Sequence, residues 1–447
     1  MKQLYFLLVL IFSLVSLQAQ RTGEIAYFSS LPQASKYNPA NYGNNNFNLS
    51  IPVLGQMGFS FNTSGFSYND LVSRMNNDSL YLDFRYLSNK LKKNNFFGVG
   101  LNFNILSLGL TLEEVHHLSF NMSVNTEARL NFTKSLYDLL VKGTLNLDKQ
   151  VSIFDDKFVD ATSYVKTSFG YARDIDEKLI LGANLNLYLG LVNIDSRKAD
   201  INVVSTGEQF SAISNVDINT ANIFANYKMK TGITDGVEFD DVSVGSNIFK
   251  NRGYGLDFGA VYKLNDEMTL SASVIDLGYI TWRSNIENIH SLHPNTTVHF
   301  TGADTIAKDW NTYLEDLGDS LVHAFDLEAT NNGNYTTVLP TKIYLSYSYN
   351  FLPNMYANAL YKGRLISGKL ENSLTLSYSY NLSNLFTFSL GNTFASKFFN
   401  PSLLISFKDI VYVGATVASS LVPKSASGFS MYLGVNIVLK NKKDSSL

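Results

Sequence analysis

The sequence predicts an all-β fold, a transmembrane antiparallel β-barrel of about 14 strands with an N-terminal plug-like segment and short helical inserts. Three observations lead to this prediction: long segments in which apolar and polar residues alternate, short polar turns between those segments, and an apolar leader. Soluble strands average about 5–6 residues, whereas a tilted strand that crosses a bilayer needs about 9–11. The alternating segments have the longer length, which favours a closed sheet in a membrane.

Composition agrees with a chain that has a large lipid-facing surface. Of 447 residues, 16% are charged and 13% are aromatic, whereas soluble proteins carry about 25% charged residues. A net charge of −3 offers no basic surface for nucleic acid. The sequence contains no cysteine, which excludes disulfides and thiolate chemistry.

Residues 1–19 have the pattern of a secretory signal peptide. Lys2 gives a positive start, Leu4 to Leu17 is an almost unbroken apolar run, and Ala19 ends a cleavage-site pattern. The apolar run is too short for a spanning helix. We therefore expect export, and the alternating strands favour the outer membrane of a Gram-negative cell over secretion or the periplasm.

The mature chain, residues 20–447, is predicted to form a single barrel domain. Residues 20–45 are polar, contain Pro32 and Pro39, and end in an Asn-rich stretch. Such a composition is typical of irregular structure, so we expect a plug-like segment there. Two short alternating segments follow, on either side of Pro52 to Gly55.

Two short helices are predicted within the barrel sequence. Phe84, Leu87 and Leu91 form a helical stripe in an insert that we place at the barrel mouth or the periplasmic rim. Ser135 to Lys142 forms a second helical piece, with Ser135 as its predicted N-cap.

The clearest strands lie between residues 179 and 282. The segment from Leu179 to Leu191 places seven apolar residues on one face and mostly Asn, Gly and Tyr on the other. Tyr254–Trp282 repeats the alternation as a hairpin around the polar corner 264–267. An apolar face of this length suits lipid contact. From residue 343 to residue 439 the chain is an almost uninterrupted series of further hairpins.

Residues 195–250, apart from a predicted strand near Ile218–Tyr227, and residues 284–339 lack sustained alternation. Both are predicted to be long extracellular loops, because such barrels place short turns on the periplasmic side. The second loop contains a predicted helix near Asp309–Leu317. The acidic run Asp235–Asp241 lacks the ligand spacing of a calcium loop, so we expect a solvated segment.

No metal or cofactor site is predicted. His290 and His293 lie three residues apart with His299 nearby, but Pro294 interrupts them and no acidic third ligand has a telling spacing. We interpret them as exposed loop histidines. Because nucleophile elbows, phosphate loops and zinc-protease signatures are also absent from the sequence, we predict that the protein is not an enzyme.

Four residues are candidates for contact with a ligand in the lumen or the plug: Asn38, Pro39, Asp257 and Lys263. Asp257 and Lys263 fall on the polar face of one hairpin arm, and Asp276 ends the other arm. Charges on the lumen face tune what passes through a barrel. The alternative is an interstrand ion pair that holds the strand register.

Three motifs resemble those of a known family: LPQASKYNPA in the leader, GFSYNDLV followed by SLYLDF, and SASVIDLGYITW at the hairpin end. Together they resemble an uncharacterised family, carried as a domain of unknown function, of outer-membrane β-barrels from bacteria with type IX secretion. Asn38-Pro39-Ala40 is more distantly similar to long-chain fatty-acid transporter barrels. That similarity implies a comparable strand number and an N-terminal plug.

The first functional hypothesis is a conduit for small apolar solutes across the outer membrane. Residues 20–45 and the helical insert near 84–93 would then restrict the lumen. The alternative is a non-transporting barrel that acts as partner or anchor for secretion, motility or adhesion machinery, with the two long loops as docking surface. Outer-membrane lipid is the expected partner in both cases.

Overall fold

The computed structural model describes most of the chain after residue 30. The described ranges are 31–42, 45–52, 54–64, 66–74, 80–82, 84–142, 151–154, 157–206, 209–225, 228–229, 237–238, 243–244, 246–292, 294, 297–300, 327–331, 333–366, 369–382, 385–394, 400–408, 410–417 and 427–440. The predicted signal peptide, the predicted helix near Asp309–Leu317 and most of Asp235–Asp241 lie outside them.

Strands make up most of the described chain. In order they are β1 Asn45–Ser50, β2 Met57–Thr63, β3 Val72–Arg74, β4 Leu80–Leu82, β5 Asn94–Leu112, β6 His116–Thr133, β7 Val151–Phe154, β8 Val159–Asp174, β9 Leu179–Thr206, β10 Gln209–Asn222, β11 Phe224–Ala225, β12 Lys228–Met229, β13 Val237–Glu238, β14 Ser243–Val244, β15 Arg252–Lys263, β16 Met268–Trp282, β17 Glu287–Ser291, β18 Thr297–Phe300, β19 Leu327–Thr330, β20 Tyr335–Val338, β21 Thr341–Leu352, β22 Met355–Ile366, β23 Lys369–Leu382, β24 Phe386–Phe394, β25 Pro401–Phe407, β26 Val411–Val417 and β27 Gly428–Lys440.

Fourteen barrel strands close into an antiparallel ring within the described residues, which confirms the predicted fold. The ring runs through β1 with β2, then β5, β6, β8, β9, β15, β16 and β21 to β27 in turn. β27 pairs with both β1 and β2, and so does β5. The first barrel strand is therefore one strand interrupted at residues 51–56, where the sequence has Pro52 and Gly55.

Alternation along each strand separates an apolar exterior from a polar interior. On β9, Leu181 and Leu185 point outward and are exposed, whereas Asn184, Asn186 and Tyr188 point inward and are buried. The same outward apolar pattern recurs around the ring, at Leu256, Phe258, Leu345, Leu376, Leu403, Val413, Met431 and Ile437. An apolar surface of this extent is unfavourable in water, and it matches the lipid-facing band of a transmembrane barrel.

The two ends of the barrel differ. Short turns at residues 113–115, 175–178, 264–267 and 353–354 lie at one end, called here the short-turn end. At the opposite end, the long-loop end, β9 continues beyond the wall and pairs with β10 in an extended hairpin. Residues 195–206 and 209–222 are thus strands, and the second of them includes the start of the strand predicted near Ile218–Tyr227. The extracellular location predicted for residues 195–250 stays a prediction. β10 also pairs with β17 and β18, and β17 pairs with β19.

Within the described ranges, three short helices accompany the strands: α1 Tyr68–Leu71, α2 Phe84–Lys90 and α3 Lys134–Lys142. α2 and α3 confirm the two predicted helical pieces. The predicted cap of α3 is wrong: the helix begins at Lys134, and the hydroxyl of Thr133 accepts a 3.1 Å hydrogen bond from the Leu136 amide. Pro32–Lys36 and Ser246–Phe249 form 3₁₀ helices.

Among the described residues, every helix falls short of the length and apolar character needed to cross a membrane.

Candidate functional site: the barrel lumen

Residues 31–42, called here the floor segment, lie inside the barrel towards the short-turn end. Leu31 and Ala34 are fully buried, and Leu31 packs against Leu404, Tyr412 and Tyr432 of the C-terminal strands. The same segment contacts β9, β15 and β16 on the other side of the ring. Contact with strands all around the ring means that the floor segment crosses the lumen.

Gln33 fixes the floor segment at the seam where the first and last barrel strands meet. Its amide nitrogen donates to the Ser50 hydroxyl of β1 at 3.1 Å and to the Asn436 amide oxygen of β27 at 2.5 Å. It also donates to the backbone carbonyl of Gly55 at 2.8 Å, in the break between β1 and β2. One buried side chain therefore bridges both edges of the seam.

Lys36 follows Gln33 on the floor segment and lines the cavity above it. Its ammonium group donates to Gln56 Oε1 at 3.1 Å and to Asn104 Oδ1 at 2.9 Å. Both acceptors are neutral amides. Burial, with the charge of Lys166 nearby, lowers the pKa of Lys36 to about 7.

The candidate residues Asn38 and Pro39 hold the floor segment against the opposite wall. The Asn38 amide donates to the backbone carbonyls of Ala260 on β15 and Ala272 on β16, at 3.1 and 3.4 Å. The Pro39 carbonyl carbon packs closely against Gly182 of β9: a Cβ added to Gly182 would lie only 2.5 Å from it. Both residues are buried anchors of the floor segment, and their predicted contact with a ligand stays a prediction.

Tyr42 fastens the other end of the floor segment at the short-turn end. Its hydroxyl donates to the Asp174 carboxylate at 2.7 Å, and its ring stacks on His117. His117 contacts the same carboxylate at 3.2 Å and the Thr111 hydroxyl at 3.0 Å. The floor segment is therefore held at three points: the seam, the β15–β16 wall and this cluster.

Above the floor segment, the walls carry a buried ionic network centred on Asp257 and Asp276. Lys166 on β8 contacts both carboxylates, at 3.0 and 2.6 Å, and Lys342 on β21 contacts Asp276 at 2.9 Å. Asp257 is fully buried and also accepts hydrogen bonds from Asn184 and Asn186. Two carboxylates facing two ammonium groups leave this network with no net charge.

The predicted inward orientation of Asp257 is confirmed, but the structure separates it from Lys263. Lys263 is exposed at the short-turn end, and the ionic partner of Asp257 is Lys166. The sequence predicts that Asp276 ends its hairpin arm. The structure differs, because β16 continues to Trp282. Asp276 lies in a β-bulge with a left-handed φ of 61°, and its amide donates to Asp257 at 2.7 Å.

A cavity of about 680 Å³ extends from the floor segment along the ionic network. Its lining is rich in charged side chains: Lys36, Glu127, Arg129, Lys157, Asp160, Lys166, Asp195, Asp257, Asp276, Lys342, Lys362 and Arg364. Apolar side chains contribute at intervals, Ile275 and Leu339 among them. The volume admits a small organic molecule.

Two ion pairs cross this lumen near the long-loop end. Arg129 on β6, the third barrel strand, contacts Glu371 on β23, the tenth, at 2.9 Å. Arg364 on β22 pairs in the same way with Glu127 on β6. In a ring of fourteen, the third and tenth strands lie on opposite walls. The pairs, called here the cross-lumen pairs, therefore tie the two walls together above the ionic network.

The histidines give no metal site in the described part of the chain, where no group of three or more metal-ligating side chains occurs. His290 lies on β17, with its ring nitrogen 3.4 Å from the Asn288 carbonyl. His293 and the side chain of His299 lie outside the described residues.

Sequence reasoning did not single out Lys166, Lys342, Lys362 or Arg129, which supply much of the charge in the lumen. Each sits on the polar face of an alternating strand. That placement was available as a signal, since charges on the inward face of a barrel strand are those that face the lumen.

Solved structures with similar architecture include two toluene transporters and a FadL homologue. The Ralstonia pickettii toluene transporter TbuX is 12% identical, covers 91% of this chain and 94% of its own, and has a TM-score of 0.43. The Pseudomonas putida toluene transporter TodX is 10% identical over 94% and 97%, with a TM-score of 0.41. A Pseudomonas aeruginosa FadL homologue is 9% identical over 95% and 100%, with a TM-score of 0.39. Similarity at this level does not extend to solute or mechanism.

No curated protein sequence matches the chain. The model of the Family of unknown function (DUF5723) matches residues 39–415. This match confirms the resemblance to an uncharacterised family that the sequence motifs predict, whereas the association with type IX secretion stays a prediction. The chain therefore belongs to the DUF5723 family.

Proposed function

We propose that the protein is an outer-membrane conduit for small solutes whose lumen is closed by the floor segment and the cross-lumen pairs. The observation that carries this proposal is the pairing of an apolar exterior with a charged internal cavity of about 680 Å³. A barrel that served only as an anchor would need no such cavity. Catalysis is not part of the proposal.

Closure by two separate layers supports a gated conduit. The floor segment is joined to the wall by non-covalent contacts: the hydrogen bonds of Gln33, Asn38 and Tyr42 and the packing around Leu31. The cross-lumen pairs are joined only by side-chain contacts. Hydrogen bonds and partly exposed ion pairs contribute about 1 kcal/mol each, so both layers can open without unfolding the wall.

The nature of the lining bears on the solute. The small apolar solute predicted from the sequence stays a prediction, because the charged groups that line the cavity favour a solute with at least one polar group. A solute would move between the long-loop end and the floor segment, and on this path it would pass the cross-lumen pairs.

Conductance in planar bilayers tests the proposal. The native protein is expected to open rarely, and a variant that lacks residues 21–42 is expected to conduct steadily, because its lumen has lost the floor segment. Migration as a folded barrel in unheated gels serves as the control for both proteins. A sealed lumen in both forms would remove the conduit proposal.

A further inference from the structure

Four side chains form a cationic corner on the lumen wall. Lys342 and Tyr344 lie on β21, two residues apart, and Lys362 and Arg364 lie on β22. The strand register places Lys342 opposite Arg364 and Tyr344 opposite Lys362. Side chains directly opposite on paired strands lie about 5 Å apart, and those two residues apart on one face about 7 Å. The corner thus concentrates three positive charges on one small area of wall.

Lys362 differs from the other cations of the corner because it has no carboxylate partner. Lys342 contacts Asp276 and Arg364 contacts Glu127. Among the described residues, no acidic group lies within ion-pair distance of Lys362, and its ammonium group makes no hydrogen bond to any of them. Yet Lys362 is only 8% exposed and lines the cavity. A buried ammonium group without a partner is costly.

The neighbours of Lys362 do not neutralise it. Its ammonium nitrogen lies 5.8 Å from the centre of the Tyr344 ring, and a cation–π contact attracts the ammonium group without neutralising its charge. Glu127 and Glu371, the carboxylates of the cross-lumen pairs, are already engaged by Arg364 and Arg129. The donors of Lys362 are therefore left for something that enters the cavity.

Ser373 supplies a buried hydroxyl on the strand next to Lys362. The strand register places it directly opposite Lys362, on β23. Ser373 is 6% exposed, and its hydroxyl makes no hydrogen bond to another described residue. An ammonium group next to a free hydroxyl is a donor set that suits the oxygen atoms of an anion.

We propose that Lys362 and Ser373 form a binding site for the oxyanion group, carboxylate or phosphate, of a small solute in the lumen. This inference rests on the proposed function, since it names the chemical class of what the conduit takes. Lys342 and Arg364 are held by their carboxylate partners, so Lys362 is the cation of the corner that remains for the solute, and the cavity of about 680 Å³ accommodates the remainder of that solute. The Tyr344 ring, in contact with Tyr37 of the floor segment at 5.7 Å, forms the apolar side of the site.

Isothermal titration of the purified full-length protein in detergent tests the site, with sodium succinate and sodium phosphate as probes in sodium chloride of constant ionic strength. Native protein is expected to bind at least one probe. Lys362→Gln is expected to weaken that binding at least tenfold, and Ser373→Ala several-fold. Lys362→Arg is expected to restore most of it. Lys178→Gln, which removes an exposed charge in the turn 175–178, is the matched control and should bind as the native protein does.

The two probes separate the sources of the oxyanion: tighter binding of succinate assigns the site to carboxylates, and tighter binding of phosphate assigns it to phosphates. Equal binding by native protein and a correctly folded Lys362→Gln variant, or no binding of either probe, overturns the inference. Bilayer conductance of the native protein and of the variant that lacks residues 21–42 keeps the two proposals apart. Binding without conductance would remove the conduit and leave the site, whereas conductance without binding would remove the site alone.

Discussion

Arg129 and Glu371 are 242 residues apart in the chain and lie on opposite walls of the barrel, yet their side chains meet at 2.9 Å. Arg129 is also held from its own side, since its guanidinium lies 4.2 Å from the centre of the Phe96 ring and its Nε donates to Asn131 at 3.1 Å. These two contacts orient the Arg129 side chain independently of its contact with Glu371. Such a contact narrows the lumen at a defined level.

Breaking this pair should favour the conducting state. Arg129→Gln or Glu371→Gln removes a partly exposed ion pair worth about 0.5–1 kcal/mol, so the ratio of open to closed states should rise about two- to fivefold. The difference should shrink in 1 M salt, where the screening length falls to about 3 Å. Single-channel recording at low and high salt measures both effects. Lys198→Gln, whose 3.7 Å pair with Asp200 is well exposed, is the control.

The ionic network makes a prediction about stability. Asp257→Asn replaces a fully buried carboxylate that accepts from Lys166, Asn184, Asn186 and the Asp276 amide, and it puts an amide donor among those donors. We expect a loss of about 3 kcal/mol in the free energy of unfolding. Urea titration of the folded fraction in micelles measures it. Asp266→Asn, in the exposed turn 264–267, should change little, and an equal shift for both variants would contradict the role of Asp257.

Close approach at Gly182 predicts how the floor segment can be loosened. A Cβ at this position would lie 2.5 and 2.6 Å from backbone atoms of Pro39 and Ala40, so Gly182→Ala must push the floor segment away. Trypsin cleavage after Lys36 should then become about tenfold faster, as a loss of about 1.4 kcal/mol implies. At Gly58, which also lines the cavity, the nearest atom is 3.7 Å away. Gly58→Ala should therefore leave the cleavage rate unchanged.

Protonation of Lys36 should make the docking of the floor segment depend on pH. The docked pKa of about 7 lies below the ordinary value of 10.5, so docking favours the neutral amine. Docking should therefore strengthen as pH rises from 7 towards 10.5 and stay constant below 7. Hydrogen exchange of residues 31–42 between pH 6 and 9, corrected for intrinsic rates, measures this. Lys36→Met should abolish the dependence, and a flat native profile would refute it.

The barrel wall could be predicted because successive residues of a strand face the lipid and the lumen in turn. The lipid favours apolar side chains, and the lumen favours polar ones. Leu181, Leu185 and Leu187 alternate with Asn184 and Asn186, and the structure places them outside and inside as expected. The two short alternating segments predicted on either side of Pro52 to Gly55 are likewise strands, β1 and β2. The strand residues 195–206 and 209–217 were missed because the apolar alternation there is short: Ala199, Ile201 and Val203 pack in a small buried cluster with Leu136, Phe154 and Val216.

The lumen was harder to predict, because its contacts depend on how the ring closes. The alternation of polar and apolar residues was enough to predict that Asp257 faces inward. Its partner Lys166, however, is 91 residues away on β8. The bulge at Asp276 shifts the register by one residue, and no local pattern in the sequence marks it. The cross-lumen pairs require knowledge of which strands face each other, which follows from strand number and closure and not from alternation.

The contacts of Gln33 bear on how this protein assembles. Its side chain bridges Ser50 and Asn436, residues separated by 386 positions that become neighbours only when the last strand joins the first. The twelve residues of the floor segment precede that first strand in the chain. They are therefore synthesised long before the last strand can pair with the first and close the barrel around them. During insertion into the bilayer, the sheet must therefore curve around this N-terminal segment. Pairing of the last strand with the first then holds the segment inside the barrel.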